Sequence, residues 1–224
     1  MPFDLITMGR VGVDLYPEQI GVGLADVQTF AKSLGGSATN VAVAAARLGA
    51  RAAVITKVGD DPFGPYVRRA LRGFGVDDRF VGTHPTLRTP IVFCEIHPPD
   101  DFPLLFYREP AAPDMTLTAG ELDMDAIRAA RVFWTTGTGL SAEPSRSATL
   151  AALAARDGAP EDWLTEADAS QPLGRLLRPD DIAPMVTHLL SDAAVMITGS
   201  VMDYDQTVLG THGTLVEEDP AWIS

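Results

Sequence analysis

Apolar runs typical of β-strands alternate with helical patterns over about the first third of the chain. The run FDLITMG is followed by the Ala-rich NVAVAAARLG, and the β-branched RAAVITKVG is followed by the amphipathic DDPFGPYVRRALRGFG. Gly49 and Gly75 stand where these two helical patterns stop, as helix-ending glycines do. Because strands that alternate with helices pair side by side, the pattern predicts an α/β fold with a largely parallel sheet.

Local signals refine this pattern. Asp61 is expected to cap the second helix, with Pro62 at its first position. The runs TPIVFCEIH and PLLFYRE, joined by the turn-rich PPDDF, predict an antiparallel pair that projects from the α/β body as a lid. MDAIRAA and EPSRSATLAALAAR predict helices on either side of the strand RVFWTTG. Further on, an amphipathic helix is predicted over 180–190 and a strand over 194–198.

Composition excludes several classes of partner. The formal net charge of −13 over 224 residues argues against a nucleic acid bound through its phosphates. No apolar run reaches the ~20 residues of a membrane helix, and the N-terminus lacks a secretory pattern. Cys94 is the only cysteine, so no intrachain disulfide can form, and the four histidines show no metal-ligand spacing. We therefore expect a cytoplasmic protein without a nucleic-acid or membrane partner.

The excess of acidic charge is concentrated late in the chain. Residues 158–224 contain 12 acidic and 2 basic side chains, whereas residues 1–157 contain 18 and 15. Such asymmetry is typical of an acidic tail, and a change of origin along the chain explains it as well.

The hexapeptide GGSATN, residues 35–40, is the strongest chemical signal. Gly35 and Gly36 allow a tight turn and the close approach of a ligand. A helix that begins there offers free N–H groups, and Asn40 offers both a donor and an acceptor to a hydroxyl group. Taken alone, the hexapeptide is equally compatible with a plain glycine turn that precedes a helix.

Three stretches occur together in the order and spacing of the ribokinase-like pfkB carbohydrate kinases. They are GRVGVDLY at 9–16, GGSATNVAVAAARLG at 35–49 and KVGDDPFG at 57–64. Residues 1–157 thus resemble the N-terminal part of such a kinase. FYREPAAPDMTL at 106–117 is most similar to the members that act on 5-dehydro-2-deoxygluconate, a sugar acid of inositol catabolism.

The resemblance implies a fold and an activity. The fold is an incomplete ribokinase-like, or Rossmann-like, parallel sheet with a small β lid. The activity is transfer of a phosphoryl group from ATP, with Mg²⁺, to a hydroxyl of a keto-deoxy sugar acid. In the family the lid also makes dimer contacts, so a homodimer through the lid is the partner expected besides the sugar acid.

The resemblance also implies roles for five substrate-binding residues. Asp14 is expected to bind a sugar hydroxyl. Gly35, Gly36 and Asn40 are expected to line the sugar pocket. Arg108 is expected to bind the substrate carboxylate, which a guanidinium can hold through two parallel hydrogen bonds. From the residues alone, Asp14 can instead cap a turn and Arg108 can be a solvated surface charge.

Other candidate residues fit structural roles better. Lys57 and Asp60 are interpreted as structural rather than catalytic. Cys94 lies in an apolar run and is interpreted as a core residue rather than a nucleophile.

The catalytic end of the kinase pattern is missing from the sequence. In the family, a G-A-G-D stretch at a helix start supplies the catalytic base and an anion hole. The chain has no G-A-G-D and no Walker A pattern, and TTGTGLSAEP at 135–144 has glycines but lacks the Asp. We therefore expect no catalytic residue, a largely missing ATP site and impaired activity.

Residues 162 to about 210 resemble a different family, the short-chain dehydrogenases/reductases. The run QPLGRLLRPDDIAPMVTHLLSDAAVMITGSVMDYDQ follows the order of that family's last helix and last strand. The glycine-rich dinucleotide turn and the Tyr-x-x-x-Lys pair of that family are absent, so we expect no NAD(P) binding. The resulting prediction is a chimeric, truncated chain, with a partial kinase domain in 1–157 and a helix–strand fragment with an acidic tail in 158–224.

Three functions remain open on this basis. The first is an impaired sugar-acid kinase. The second is a non-catalytic sugar-binding or interaction module, and the third is an NAD(P)-dependent oxidoreductase.

Overall fold

The computed structural model describes residues 2–158 and scattered positions between 165 and 194. The chain divides into two units, residues 1–161 and 162–224. Four parallel strands form the central sheet of the first unit. Their order is β5 (Val81–His84), β4 (Ala52–Gly59), β1 (Leu5–Met8) and β8 (Val132–Thr135). The predicted α/β class with a parallel sheet is confirmed.

Helices cover both faces of this sheet. On one face lie α1 (Ser37–Arg47) and α2 (Phe63–Gly73), and on the other lie α3 (Met124–Ala129) and α4 (Ser145–Asp157). Every residue of β4 is buried because the strand is covered on both sides. Neighbouring residues on a strand enter opposite cores, since side chains alternate across a sheet. Leu5 packs in the core with α1 and α2, and Ile6 in the core with α3 and α4.

The helix ends follow the polar and glycine signals of the sequence. The Asp61 carboxylate accepts hydrogen bonds from the N–H groups of Phe63 (2.9 Å) and Gly64 (3.3 Å) at the start of α2. Pro62 itself is the N-cap, so α2 begins one residue later than predicted. Gly49 and Gly75 have φ values of 90° and 82°, which allow the chain to turn away after α1 and α2.

A second sheet of mixed direction is larger than the predicted lid. Its order is β3 (Phe30–Gly35), β2 (Gly12–Pro17), β6 (Ile91–Cys94) and β7 (Leu104–Tyr107). The antiparallel pairing of β6 with β7 is as predicted. Sequence reasoning missed β3, because FAKSLG is partly polar and ends in glycine, and it missed β5, which has only four residues.

Little of the prediction for the later residues falls on described positions. Positions 181, 184, 185, 187 and 188 are helical, within the helix predicted over 180–190. The strand predicted over 194–198 lies outside the described residues except for Ala194, which ends a short 3-10 helix, Asp192–Ala194. Among the described residues, none of the helices has the length and apolarity needed to cross a membrane.

A buried lysine ties residues 113–121 to the central sheet. Lys57 of β4 is 7% exposed, and its Nζ lies 2.7 Å from Oε1 of Glu121. The same Nζ donates to the Thr116 carbonyl oxygen at 3.0 Å. Glu121 in turn accepts a hydrogen bond from the Thr118 N–H at 2.9 Å. These contacts support the structural role predicted for Lys57.

We expect Glu121→Gln to destabilise the fold. Removal of the carboxylate leaves the buried Lys57 ammonium without a counter-ion, at a cost of about 1–3 kcal/mol since Glu121 is half-exposed. Burial raises the pKa of Glu121, but the hydrogen bonds from Lys57 and Thr118 outweigh it and keep that pKa below 4.5. The carboxylate therefore stabilises the fold above the unfolded pKa, and this contribution is lost as the pH falls through the folded pKa.

Urea unfolding of the wild type and Glu121→Gln at pH 7 and near pH 4 measures this effect. The difference between the two proteins should be large at pH 7 and smaller near pH 4. Asp125→Asn, which removes only an exposed ion pair with Arg128, is the matched control and should change stability by less than about 0.5 kcal/mol. An equal difference at both pH values would contradict the role assigned to the carboxylate.

Candidate functional site

The inner face of the small sheet forms one wall of a cavity of about 300 Å³. Side chains two residues apart share a face of a strand, and the register sets Asp14 of β2 beside Val92 of β6, and Val92 beside Phe106 of β7. The wall is therefore built by alternate residues of three strands, which are Gly12, Asp14, Tyr16, Val92, Cys94, Leu104 and Phe106.

The start of α1 forms the opposite wall. Gly36 has a φ of 102°, and a Cβ at this position would overlap the carbonyl oxygen of Arg10. The Thr39 hydroxyl donates to that same carbonyl at 3.4 Å. Ser37 and Asn40, in the first turn of α1, line the cavity. No side chain caps α1, so the N–H groups of its first turn lie at the cavity wall without a side-chain acceptor.

Asp14 is a half-buried carboxylate without a cationic partner. Its Oδ2 accepts a hydrogen bond from the Tyr16 hydroxyl at 3.5 Å, and no ion pair joins it to any side chain in the described part of the chain. Burial raises the pKa of Asp14 above 3.8, although the Tyr16 hydrogen bond opposes the rise. An unpaired carboxylate at a cavity is a strong acceptor for ligand hydroxyl groups.

Two guanidinium groups also reach this cavity. Arg108, which follows β7, is exposed, and its Cζ lies 4.3 Å from the centre of the Phe106 ring. Arg10, which follows β1, donates from Nε to Oδ1 of Asp114 at 3.0 Å. Stacking on an aromatic ring and pairing with a buried carboxylate each orient a guanidinium without using all of its N–H groups.

Cys94 lies in the cavity wall, in surroundings that disfavour the reactive thiolate form. The side chain is buried, and burial together with the nearby Asp14 charge raises the pKa of the thiol above 9.0. The thiolate, which is the reactive form, is therefore suppressed. This agrees with the core role predicted for Cys94.

The structure brings four of the five predicted site residues to one cavity, namely Asp14, Gly36, Asn40 and Arg108. Gly35 lies behind Asp14 instead, and its missing side chain leaves room for the Asp14 carboxylate.

Arg10, Tyr16 and Thr138 are among the lining residues that sequence reasoning did not predict. Tyr16 could have been predicted as a lining residue, because it lies two residues after Asp14 on one strand and therefore on the same face. Arg10 and Thr138 follow the carboxyl ends of β1 and β8, which pair directly, so the topology could have placed them together.

Comparison with known sequences identifies a family of carbohydrate kinases. The model of the pfkB family carbohydrate kinases matches residues 3–196. The 5-dehydro-2-deoxygluconokinase of Photobacterium profundum is 39% identical over 181 residues, covering 75% of this chain and 54% of the relative. Fructokinase-1 of Oryza sativa subsp. japonica is 41% identical over 149 residues, covering 66% and 46%. The chain spans about half the length of the curated relatives it matches.

Comparison with solved structures agrees. An uncharacterized sugar kinase from Pyrococcus horikoshii is similar with a TM-score of 0.62 and 29% identity, over 69% of this chain and 50% of that one. Its complex with ATP has a TM-score of 0.59 and 31% identity, over 65% and 47%. The fructokinase of Halothermothrix orenii has a TM-score of 0.60 and 28% identity, over 69% and 54%.

We expect Asp14→Asn to raise the thermal stability of the protein at neutral pH. Because the pKa of Asp14 is higher in the folded than in the unfolded state, its ionised form destabilises the fold, increasingly so as the pH rises through the folded pKa. The group is half-buried, so solvent screening limits the gain to a rise of about 1–2 °C in Tm.

Differential scanning fluorimetry at pH 7 and pH 4 measures this shift, which should shrink at the lower pH. Asp100→Asn, at an exposed turn between β6 and β7, is the control and should leave the Tm unchanged. A lower Tm for Asp14→Asn at pH 7 would show that the carboxylate is structural instead.

Proposed function

The chain belongs to the pfkB family of carbohydrate kinases, and we propose that its first unit is the sugar-binding part of a kinase for a keto-deoxy sugar acid. An acid such as 5-dehydro-2-deoxygluconate, which gives the Photobacterium relative its name, carries hydroxyl groups and one carboxylate. The observation that carries the proposal is the meeting of an unpaired carboxylate, Asp14, and a stacked guanidinium, Arg108, at one cavity.

The hydroxyl groups of the ligand are assigned to Asp14 and Asn40. The Asp14 carboxylate accepts hydrogen bonds from hydroxyl groups and can accept more than the single one that Tyr16 donates. Asn40 both donates and accepts, and the N–H groups at the start of α1 donate to no capping side chain. A cavity of about 300 Å³ is at the small end of ligand sites, which suits a six-carbon sugar acid.

The carboxylate of the ligand is assigned to Arg108. Its guanidinium lies over the Phe106 ring, and its N–H groups remain available for a bidentate contact.

The described residues do not fit Mg²⁺ with ATP, the cofactors that the family implies. The turn after β8, residues 136–140, contains hydroxyl groups and glycines but no carboxylate, and the sequence has no Gly-Ala-Gly-Asp. We therefore propose that this chain binds the sugar acid with little or no transfer of phosphate from ATP.

The origin of residues 158–224 is a separate proposal that rests on sequence resemblance. We propose that they derive from the end of a short-chain dehydrogenase/reductase without its cofactor half. The kinase family model matches as far as residue 196, so the two assignments overlap between 158 and 196. The charge change near residue 158 supports a junction there.

We expect wild-type protein to bind 5-dehydro-2-deoxygluconate more tightly than the neutral keto sugar fructose. Arg108→Ala should weaken binding of the acid by about 10–100-fold, because a charged hydrogen-bonded pair is lost, and should leave fructose binding nearly unchanged. Isothermal titration calorimetry measures both affinities. Arg128→Ala, which removes only an exposed pair with Asp125, is the matched control.

A coupled assay for ADP release separates the two leading functions. Little or no ADP with the bound acid supports the non-catalytic sugar-binding module. Robust ADP release that depends on the acid shows an active kinase and overturns the proposed loss of turnover. If the wild type binds 5-dehydro-2-deoxygluconate and fructose with equal affinity, the proposal that the substrate is a sugar acid is contradicted.

The outer face of the lid supports a homodimer, which we propose as the protein partner. Phe93 of β6 packs edge-to-face on Phe30 of β3 and on Tyr107 of β7, with ring centres 5.4 Å apart in both pairs. Leu105 and Tyr107 of β7 are exposed beside this aromatic row, and β7 is the edge strand of its sheet. An exposed apolar edge of this kind favours association.

We expect Leu105→Glu to shift the protein from dimer to monomer, since a charge in an apolar contact is costly to desolvate. Size-exclusion chromatography with light scattering measures the mass. Leu48→Glu, at an exposed leucine just after α1, is the matched control and should remain dimeric. A monomeric wild type at all accessible concentrations would contradict the proposal.

A further inference from the structure

Two cavities meet beside the site. The second has a volume of about 480 Å³ and lies between residues 109–116 and residues 138–144. It shares three lining residues with the first cavity, and these are Arg10, Arg108 and Thr138. The boundary between the cavities is therefore formed by two guanidinium groups and a hydroxyl group.

Arg10 is held at this boundary by an ion pair with a buried carboxylate. Its Nε donates to Oδ1 of Asp114 at 3.0 Å, and the Asp114 side chain is only 4% exposed, within a 3-10 helix formed by Pro113–Thr116. The Arg10 side chain itself is 19% exposed. A guanidinium has five N–H donors, and the bond to Asp114 uses one, which leaves the terminal groups for a ligand.

The charges around the two cavities favour an anion at their boundary over an anion in the far part of either cavity. Asp14 lines the first cavity, and Glu109 and Glu143 line the second, so a ligand carboxylate is repelled from the far part of each. Asp114 pairs with Arg10, whereas Arg108 forms no ion pair in the described part of the chain. A ligand carboxylate between the two guanidinium groups would supply Arg108 with an anionic partner.

We infer that Arg10 is a second substrate-binding guanidinium, which holds the carboxylate of the sugar acid together with Arg108 while Asp114 acts as its positioning residue. This inference rests on the proposed function, because it requires an acidic ligand. The rest of the ligand then extends into the first cavity, where its hydroxyl groups reach Asp14. Arg10 accordingly determines the preference for an acid over a neutral sugar.

Calorimetric titration of the full chain with 5-dehydro-2-deoxygluconate and with fructose tests the inference. Arg10→Ala should weaken binding of the acid by about 10–100-fold and change fructose binding by less than about 3-fold. Arg10→Lys should give an intermediate loss, because an ammonium keeps the charge without the bidentate fork. Asp114→Asn should also lower the affinity for the acid alone, since Arg10 loses its charged anchor.

A second variant controls for misfolding, because Arg10→Ala leaves the buried Asp114 carboxylate without its ionic partner. The double variant Arg10→Met with Asp114→Asn removes both charges and should show the same selective loss, with an unchanged circular dichroism spectrum. If the wild type prefers the acid and the folded double variant keeps that preference, the inference about Arg10 is overturned while the proposed function stands. If the wild type shows no preference for the acid, both fail.

Discussion

The contact between the backbones of Gly36 and Arg10 holds the site together. Gly36 adopts a φ of 102°, and no side chain fits between it and the Arg10 carbonyl oxygen. The Thr39 hydroxyl bonds that same oxygen, so the turn before α1 is fixed to the turn after β1. The contact sets the start of the helix against the small sheet and, at the same time, directs Arg10 toward Asp114. The cavity, its helix wall and its guanidinium therefore depend on one glycine.

Charged groups in this unit fall into two physical classes. Lys57 and Glu121 are paired with each other, and Asp61 accepts backbone N–H groups, so these charges are satisfied within the fold. Asp14 and Arg108 have no ionic partner among the described residues and meet only at the cavity. Lys57, Glu121 and Asp61 are thus compensated in the folded protein, whereas Asp14 and Arg108 leave interaction energy for binding a ligand.

Much of the fold follows from local sequence patterns, because they depend on neighbouring residues. The alternation of strands and helices, the glycines after α1 and α2, and the lid pair all have local signals. The strand β3 does not, since its polar residues belong to a partly exposed sheet that only tertiary pairing with β2 stabilises. The family motifs indicated Asp14, Gly36, Asn40 and Arg108. Arg10 and Thr138 were not predicted as site residues, because they lie far apart in sequence and come together only through the pairing of β1 with β8.

The position of β1 at the centre of its sheet has a consequence for synthesis of the chain. Leu5 pairs with Ala52 on one side and with Val132 on the other, and the Thr135 hydroxyl reaches back to the Met8 carbonyl at 3.2 Å. The ribosome releases β1 long before either neighbouring strand exists, so the backbone groups on both edges of this segment have no strand partner at that stage. Such non-local pairing gives a high contact order and slow folding. Until β8 is made, one edge of β1 is open to pairing with other chains.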